Sequence, residues 1–225
     1  MNPPRPLLIA CALLLPLTAG AAEKEKPAKA DKPKITALER AQGWKLLFDG
    51  ESLSDWRGYG RNKVPPNWTV ADGWLTTSGG PALVSEEEYR DFELLFDWKA
   101  GEGGVCAVWL RAGEDGAEPE GSGLLLELAG GAGIGGNGGL TELWRKVTPQ
   151  PGLWHRAKVT VYGNQVEHWI DGERVLTYTI DSPDWRAAVA KSRFAGVRDY
   201  GVHREGRIVL AGRAAAFRNI KIKPL

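Results

Sequence analysis

A single carboxylate interrupts an apolar strand and is the first candidate for chemistry. Glu127 lies within Leu124–Leu128, where its neighbours on both sides are leucines. Charged side chains are seldom buried unless they are paired, because leaving water is costly. Glu127 therefore either faces a pocket or forms an ion pair, and Arg111 is the candidate cation for such a pair.

Four further residues could contribute to a site. His203 lies in the loop Tyr200–Glu205 and could act as a base or a ligand, or be an ordinary exposed histidine. Glu142 and Trp144 offer a carboxylate and an indole that could line a sugar-binding groove. Trp144 and Trp109 could equally belong to the core, which is the default role of a large aromatic residue.

The sequence lacks the local motifs of several common catalytic sites. His155 and His168 are too far apart for a local metal motif, and there is no H-x-x-x-H or H-E-x-x-H, so no metal or other cofactor is identified. There is no G-x-S-x-G elbow, which argues against a serine hydrolase. The glycine-rich stretch Gly130–Gly139 has no following helix or Lys-Ser/Thr pair, as a phosphate-binding loop would. It is predicted to be a mobile surface loop that could serve as a lid.

The clearest local structure is a three-stranded antiparallel meander over Trp154–Ile180. Val159 and Val161 alternate with polar residues, and Gly163-Asn164 and Asp171-Gly172 supply the tight turns. Further strands are predicted at 46–48, 67–70, 74–76, 83–84, 91–99, 105–111, 124–128, 142–144, 208–210 and 215–222, with 86–89 as a charged connection. Helix is scarce, limited to a short helical entry at Glu39–Trp44 and one or two turns within Pro183–Ser192. This pattern predicts an all-β fold, a β-sandwich of two antiparallel sheets.

The first 37 residues are predicted to lie outside the domain. Residues 1–22 read as a signal peptide, with an apolar run at 7–17 that is shorter than the roughly 20 residues needed to span a bilayer. Residues 23–37 are predicted to be a disordered linker, and 38–225 form the domain. The protein is therefore expected to be periplasmic or secreted, and lipoprotein anchoring through Cys11 is the less favoured alternative.

The composition excludes some functions and is compatible with others. The formal net charge is +1 and no basic cluster is present, so nucleic-acid binding is not expected. After removal of the signal peptide only Cys106 remains, and its apolar surroundings predict a buried structural thiol. Ten tryptophans and 29 glycines suit a β-architecture with aromatic ligand surfaces.

Five segments, in order along the domain, resemble the 3-keto-disaccharide hydrolase family. The first reads LFDG followed by Leu53 and Trp56, like the family's LF(D/N)G-x-x-L-x-x-W, and the last reads FRNIKI, like its F-R-N-I-x-I. The other three are Trp68–Leu75, Tyr89–Leu94 and Trp154–Ile180. The resemblance implies a concanavalin A-like jelly-roll fold.

The resemblance also implies a reaction on carbohydrates. The family cleaves glycosides oxidised at C3, by removal of the acidic C2 proton, loss of the group on C1 and addition of water. Such a reaction needs a base, a positive or hydrogen-bonding partner for the enolate, and often a metal. On this basis Glu127, Arg111 and His203 are the candidate catalytic residues. The candidate residues for binding a carbohydrate or glycoside ligand are Trp109, Glu142 and Trp144.

Three sequence motifs that contain polar residues in the family are largely apolar in this chain. They fall on Val105–Ala107, Leu125–Gly130 and Ile208–Gly212. The alternative is therefore a jelly roll that has lost catalysis and binds a glycan or a protein partner. A glycosidase that uses two carboxylates, Glu127 and Glu142, is a weaker third hypothesis, since it requires them about 5 to 9.5 Å apart.

Overall fold

Two long strands, each running through both layers of a β-sandwich, carry the fold. The computed structural model describes residues 32–116, 118–131 and 133–225. Strands β6, Phe92–Ala112, and β11, Gly206–Pro224, pair antiparallel along almost their whole length. The N-terminal half of β6 pairs on its other side with β8, Glu93 opposite Thr160, whereas its C-terminal half pairs with β7, Ala107 opposite Glu127. The two halves therefore belong to different layers.

The remaining elements complete the layers. The other strands are β1 Lys45–Leu46, β2 Trp56–Gly58, β3 Trp68–Ala71, β4 Trp74–Thr77, β5 Leu83–Tyr89, β7 Leu124–Ala129, β8 His155–Tyr162, β9 Gln165–Ile170 and β10 Glu173–Thr179. One layer has the order β10-β9-β8-β6-β11-β4-β3, with β1 also on β11, and the other has the order β7-β6-β11-β5-β2. The helices are α1 Ala37–Ala41 and α2 Pro183–Ala190, and a 3₁₀ turn covers Pro119–Gly121. The prediction of an all-β sandwich is confirmed.

The predicted meander is present as β8, β9 and β10. Asp171 and Gly172 have φ angles of 49° and 85°, so both central residues of the β9–β10 turn are in the left-handed region. Two such residues define the tight hairpin turn that matches the twist of the flanking strands. This local chemistry explains why the register of the meander could be anticipated.

The core follows the alternation of the central strands. Phe92, Leu94, Phe96 and Trp98 are fully buried and lie on one face of β6. Apolar side chains on one face of a strand must be covered by a second layer, which supplies most of the stabilisation. Cys106 is also fully buried, as expected, and burial raises the pKa of its thiol.

Four local predictions differ from the structure, and the first is that the strands expected at 208–210 and 215–222 are both parts of the single strand β11. Residues 86–89 are part of β5 and not a connection, because they pair with β11 through Glu88 and Tyr89. The two strands expected at 91–99 and 105–111 are one strand, since glycines near its middle tolerate the bend between layers. A Cβ at Gly104 would lie 2.8 Å from the carbonyl oxygen of Gly101. Residues 142–144 form no strand, and only the Trp144 N–H reaches β10, at the Val175 carbonyl.

The predicted signal peptide, Cys11 and most of the linker lie outside the described residues. The last part of the linker, 32–37, contacts the domain: Pro33 is buried and Lys32 Nζ lies 2.5 Å from Glu51 Oε1. Thr36 caps α1 by accepting a hydrogen bond from the Glu39 N–H. In the part of the chain that is described, no helix is long and apolar enough to cross a membrane.

Candidate functional site

The glycine-rich stretch folds back onto the edge strand that carries Glu127. The Glu127 N–H donates to the Gly136 carbonyl at 2.8 Å, and the Gly135 N–H donates to the Glu127 carbonyl at 2.7 Å. The mobile surface loop that could serve as a lid stays a prediction, and in the structure Gly135 and Gly136 of this stretch are hydrogen-bonded to Glu127 of β7. The stretch therefore passes directly beside the Glu127 side chain.

Glycine is required in this stretch because the backbone passes close to the Glu127 side chain. A Cβ at Gly131 would lie 2.6 Å from Glu127 Oε1. A Cβ at Gly136 would lie 2.9 Å from the Gly133 carbonyl oxygen and 3.1 Å from Glu127 Oε2. The glycines therefore form a close-fitting cradle around one carboxylate.

The Glu127 carboxylate is enclosed but only partly satisfied. The residue is 8% exposed. Its nearest cation is Arg193, whose Nη2 lies 3.7 Å from Oε1, beyond hydrogen-bonding distance. Oε2 is buried and has no hydrogen-bond partner among the described residues. A buried acceptor normally has a hydrogen-bond partner, and Oε2 has none in the described part of the chain. Glu127 therefore retains the capacity to accept a proton or a hydrogen bond from a ligand.

Glu127 opens onto a cavity of about 300 Å³. Glu142 and Lys146 line the same cavity, together with Thr141, Leu143 and the glycines at 133, 136 and 139. This volume is at the lower end of the range for small-molecule sites. Two acidic residues and a lysine therefore line one space, and the sequence predicts Glu142 but not Lys146 as a site residue.

His168 holds the cradle from the inner face of β9. It is completely buried, and its Nδ1 lies 2.7 Å from the Gly135 carbonyl oxygen, which can only accept a hydrogen bond. Nδ1 therefore carries the proton, and Nε2 faces the Tyr178 hydroxyl at 3.5 Å. Burial lowers the pKa of His168 from 6.5 to about 4, although the bond to Gly135 acts in the opposite direction. The alternation of Val166, His168 and Ile170 along β9 indicates this inward orientation.

We expect His168 to make folding sensitive to acid. The unfolded chain binds the proton near pH 6.5 and the folded chain only near pH 4, so stability is lost as the pH falls through this interval. The loss between pH 7.5 and 4.5 is about 2 to 3 kcal/mol of unfolding free energy. Urea unfolding at several pH values should show a shallower acid slope for His168→Asn, which keeps a donor for Gly135. Identical slopes would contradict this assignment.

Arg111 lies apart from the cavity and has a structural environment. It is 2% exposed and has a φ of 50°. Its Nη2 donates to Asp91 Oδ1 at 2.9 Å, its Nη1 donates to the Gly163 carbonyl at 2.9 Å, and its Nε donates to the Arg90 carbonyl at 2.6 Å. Burial lowers the pKa of its guanidinium, and the Asp91 carboxylate opposes this shift. The predicted alternative, an ion pair between Glu127 and Arg111, does not form. The Arg111 guanidinium is instead bonded to the turns at residues 90–91 and 163.

The other nominated residues fall in different surroundings. His203 lines a separate cavity of about 680 Å³ with Asp115 and Ser122. Trp109 is buried opposite Leu125 in the β6–β7 pair. Trp144 is 60% exposed, and the guanidinium of Arg174 lies 5.0 Å from its ring centroid.

Of the predicted site residues, Glu127 and Glu142 line the same cavity. Trp144 follows Glu142 by two residues in the sequence. Arg111, His203 and Trp109 lie outside this cavity. In the part of the chain that the structure describes, no group of three or more His, Cys, Asp and Glu residues could hold a metal ion. The candidate site does not fit a protein-held metal, and no step is assigned to one.

Residues 43–223 match the model of the 3-keto-alpha-glucoside-1,2-lyase-like domain, and the chain belongs to this family. It is 26% identical to a 3-keto-disaccharide hydrolase of Bacteroides thetaiotaomicron in an alignment of 230 positions that spans 82% of this chain and 79% of the relative. The resemblance to this family is confirmed.

Solved structures support the same fold. The crystal structure of a proposed glycosyl hydrolase from Parabacteroides distasonis superposes with a TM-score of 0.79 at 25% identity, covering 86% of this chain and 99% of that one. A beta-agarase A in complex with oligoagarose has a TM-score of 0.52 at 12% identity, covering 80% of this chain and 92% of the agarase. The agarase likeness concerns the fold alone.

Proposed function

We propose that this protein cleaves glycosides oxidised at C3, with Glu127 as the base that removes the C2 proton. The observation that carries the proposal is the buried Oε2 of Glu127, which has no partner among the described residues and belongs to a cavity-lining side chain. A general base must be within hydrogen-bonding reach of the proton it removes. Glu127 lines the cavity, and rotation of its carboxyl group would turn the free oxygen towards a ligand there.

The ketone at C3 makes the neighbouring C2–H acidic. Glu127 takes this proton, and the electron pair of the C–H bond forms the enolate. Lys146 on the cavity wall and Arg193 beside Oε1 place positive charge where negative charge develops. The enolate then expels the group on C1, so the C1–O bond breaks, a C1=C2 double bond forms, and the leaving oxygen takes up a proton. Addition of water across the double bond releases the 3-keto sugar.

A second candidate function is glycan binding without turnover. Three buried apolar residues favour this alternative. Cys106, Leu125 and Val209 stand at positions where other members of the family carry polar residues. Function depends on the site and not on the fold, so a family member can keep the scaffold and lose the reaction. In this case the carboxylates would accept hydrogen bonds from sugar hydroxyls and remove no proton.

A 3-keto-glucoside with a chromogenic group on C1 distinguishes the candidates. The proposed function predicts release of the chromophore, together with incorporation of solvent deuterium at C2. The unoxidised glucoside is the control, because it has no acidic C2 proton, and its cleavage would favour the two-carboxylate glycosidase. Calorimetric binding of the 3-keto sugar without release or deuterium exchange would leave glycan binding as the function.

We also propose a periplasmic or secreted location, supported by the sequence of residues 1–22. Fractionation of cells that express the full chain, with N-terminal sequencing of the product, tests this. Recovery of uncleaved protein from the cytoplasm would contradict it.

A further inference from the structure

The layer with the order β10-β9-β8-β6-β11-β4-β3 presents tryptophans and basic residues together on its outer face. Successive side chains of a strand point to opposite faces of the sheet. Trp98 of β6 and Phe217 of β11 are fully buried on the inner face. The residues that follow them, Lys99 and Arg218, therefore lie on the outer face, and both are partly exposed. This face is available to a ligand.

One cluster of the outer face combines two indoles with two cations. The rings of Trp74 and Trp154 meet edge to face, with their centroids 5.2 Å apart. Lys99 Nζ lies 4.1 Å from the Trp74 centroid and 4.8 Å from the Trp154 centroid. The Arg218 guanidinium lies 4.1 Å from the Trp154 centroid. The indoles attract both cations and hold them in place, which lowers the entropy lost when the cations bind an anion.

A second cluster on the same face has the same composition. Lys158 of β8 lies opposite Trp169 of β9, which lies opposite Arg174 of β10. Lys158 Nζ is 4.5 Å and the Arg174 guanidinium 5.6 Å from the Trp169 centroid. Lys158 is in register with Leu95, four residues before Lys99 in β6, so the two lysines are roughly 14 Å apart along the sheet. This separation exceeds the width of one sugar ring, and a ligand that reaches both clusters is a polymer.

Two of these cations lack a carboxylate partner. Three carboxylates of the face are paired with other cations, Asp97 with Arg156 and Arg218, Glu167 with Arg174, and Glu93 with Lys223. In the part of the chain that is described, Lys99 and Lys158 form no ion pair. Burial lowers the pKa of Lys99, and the nearby Arg218 guanidinium lowers it further. A bound anion would offset both effects.

The mixture of groups on this face suits a charged sugar polymer better than a nucleic acid. Duplex DNA carries one negative charge per about 1.7 Å of its axis, and the carboxylates between the clusters would repel so dense a row of charge. Sugar hydroxyls can instead donate hydrogen bonds to these carboxylates, and sugar rings can pack against the indoles. The formal net charge of the chain is only +1, which is low for a nucleic-acid-binding protein.

We propose that the outer face of this layer binds an acidic polysaccharide, whose carboxylate or sulfate groups pair with Lys99 and Arg218 in one cluster and with Lys158 in the other. None of these three residues lines the cavity at Glu127. The surface is therefore a second binding site, independent of the reaction proposed above, and it attaches the protein to a charged glycan.

Isothermal titration calorimetry with two pairs of polymers tests the proposal. The acidic polymers are polygalacturonate and dextran sulfate, and their uncharged counterparts are methyl-esterified polygalacturonate and dextran. We expect at least one acidic polymer and neither counterpart to bind, with an affinity that falls as salt is added. For Lys99→Gln combined with Lys158→Gln, the Kd should rise at least about tenfold. Failure of both acidic polymers to bind, or equal binding of acidic and uncharged forms, would overturn the proposal.

The matched control is Lys63→Gln combined with Lys191→Gln, which removes two exposed lysines outside both clusters and gives the same net charge. It should bind like the wild type, and equal losses in both double variants would overturn the proposal. Replacing Lys99 and Lys158 by arginine keeps both charges and should preserve binding, which separates loss of charge from misfolding. Tighter binding of a DNA duplex or of phosphatidylglycerol vesicles than of either acidic polymer would also overturn it.

One further variant separates this surface from the proposed active site. Glu127→Gln should bind the acidic polymers with the wild-type Kd, whether or not the wild-type protein cleaves a 3-keto-glucoside. A loss of polymer binding in Glu127→Gln would place the polymer in the cavity at Glu127 and would overturn the proposed surface.

Discussion

Replacing Glu127 by glutamine should lower kcat on a 3-keto-glucoside by about 10²- to 10⁴-fold. The amide is nearly isosteric with the carboxylate and fits the same cradle between Gly131 and Gly136, but it cannot take up the C2 proton. Since binding contacts change little, KM should stay within about threefold of the wild-type value, as expected for a group that acts mainly in the transition state. Steady-state kinetics of chromophore release provide the measurement.

The matched control is Glu142→Gln, which removes the other carboxylate from the same cavity. Glu142 is exposed, whereas Glu127 is nearly enclosed, so we expect a much smaller effect on kcat. Equal losses in both variants would favour a mechanism with two carboxylates. If Glu127→Gln retained full activity on the 3-keto-glucoside, Glu127 could not be the base. Near-unchanged thermal unfolding of the variant would show that a loss of activity does not reflect misfolding.

Replacing Arg111 by methionine should destabilise the fold by about 3 to 5 kcal/mol. Removal of the guanidinium leaves the Asp91 carboxylate with the Gly163 N–H as its hydrogen-bond donor and leaves two carbonyls without their donor. Breaking a buried ion pair by removing one partner is much more costly than breaking an exposed one. Urea unfolding at neutral pH measures this loss.

The control for Arg111 is Arg186→Met on α2. Arg186 is largely exposed and lies 3.6 Å from Asp181, so its loss should cost no more than about 1 kcal/mol. If Arg111→Met were as stable as wild type but inactive, Arg111 would be a catalytic residue and not a structural one. Reduced activity that recovers when the variant is assayed at low temperature would agree with a structural role.

Local chemistry explains which parts of the fold were predictable. The meander was predictable because its Asp-Gly turn and alternating valines act over a few residues. The two halves of β6 were predicted as separate strands, since nothing local reveals that a chain can bend at Gly101–Gly104 and continue pairing with β11. The charged residues Glu86–Glu88 were predicted as a connection, because their pairing partner in β11 lies more than a hundred residues away.

The sequence by itself determined the family and the β-sandwich, and it singled out Glu127 as a candidate, because a carboxylate on an apolar strand must be paired or must face a cavity. Only the tertiary structure decided which residues accompany it. Arg111 turns away at a φ of 50° to bind turns at residues 90–91 and 163, whereas Glu142 and Lys146 reach the cavity. Both arrangements depend on contacts between residues that are far apart in the sequence. The local pattern of residues therefore does not reveal which way a side chain points or which distant carbonyl it will bond.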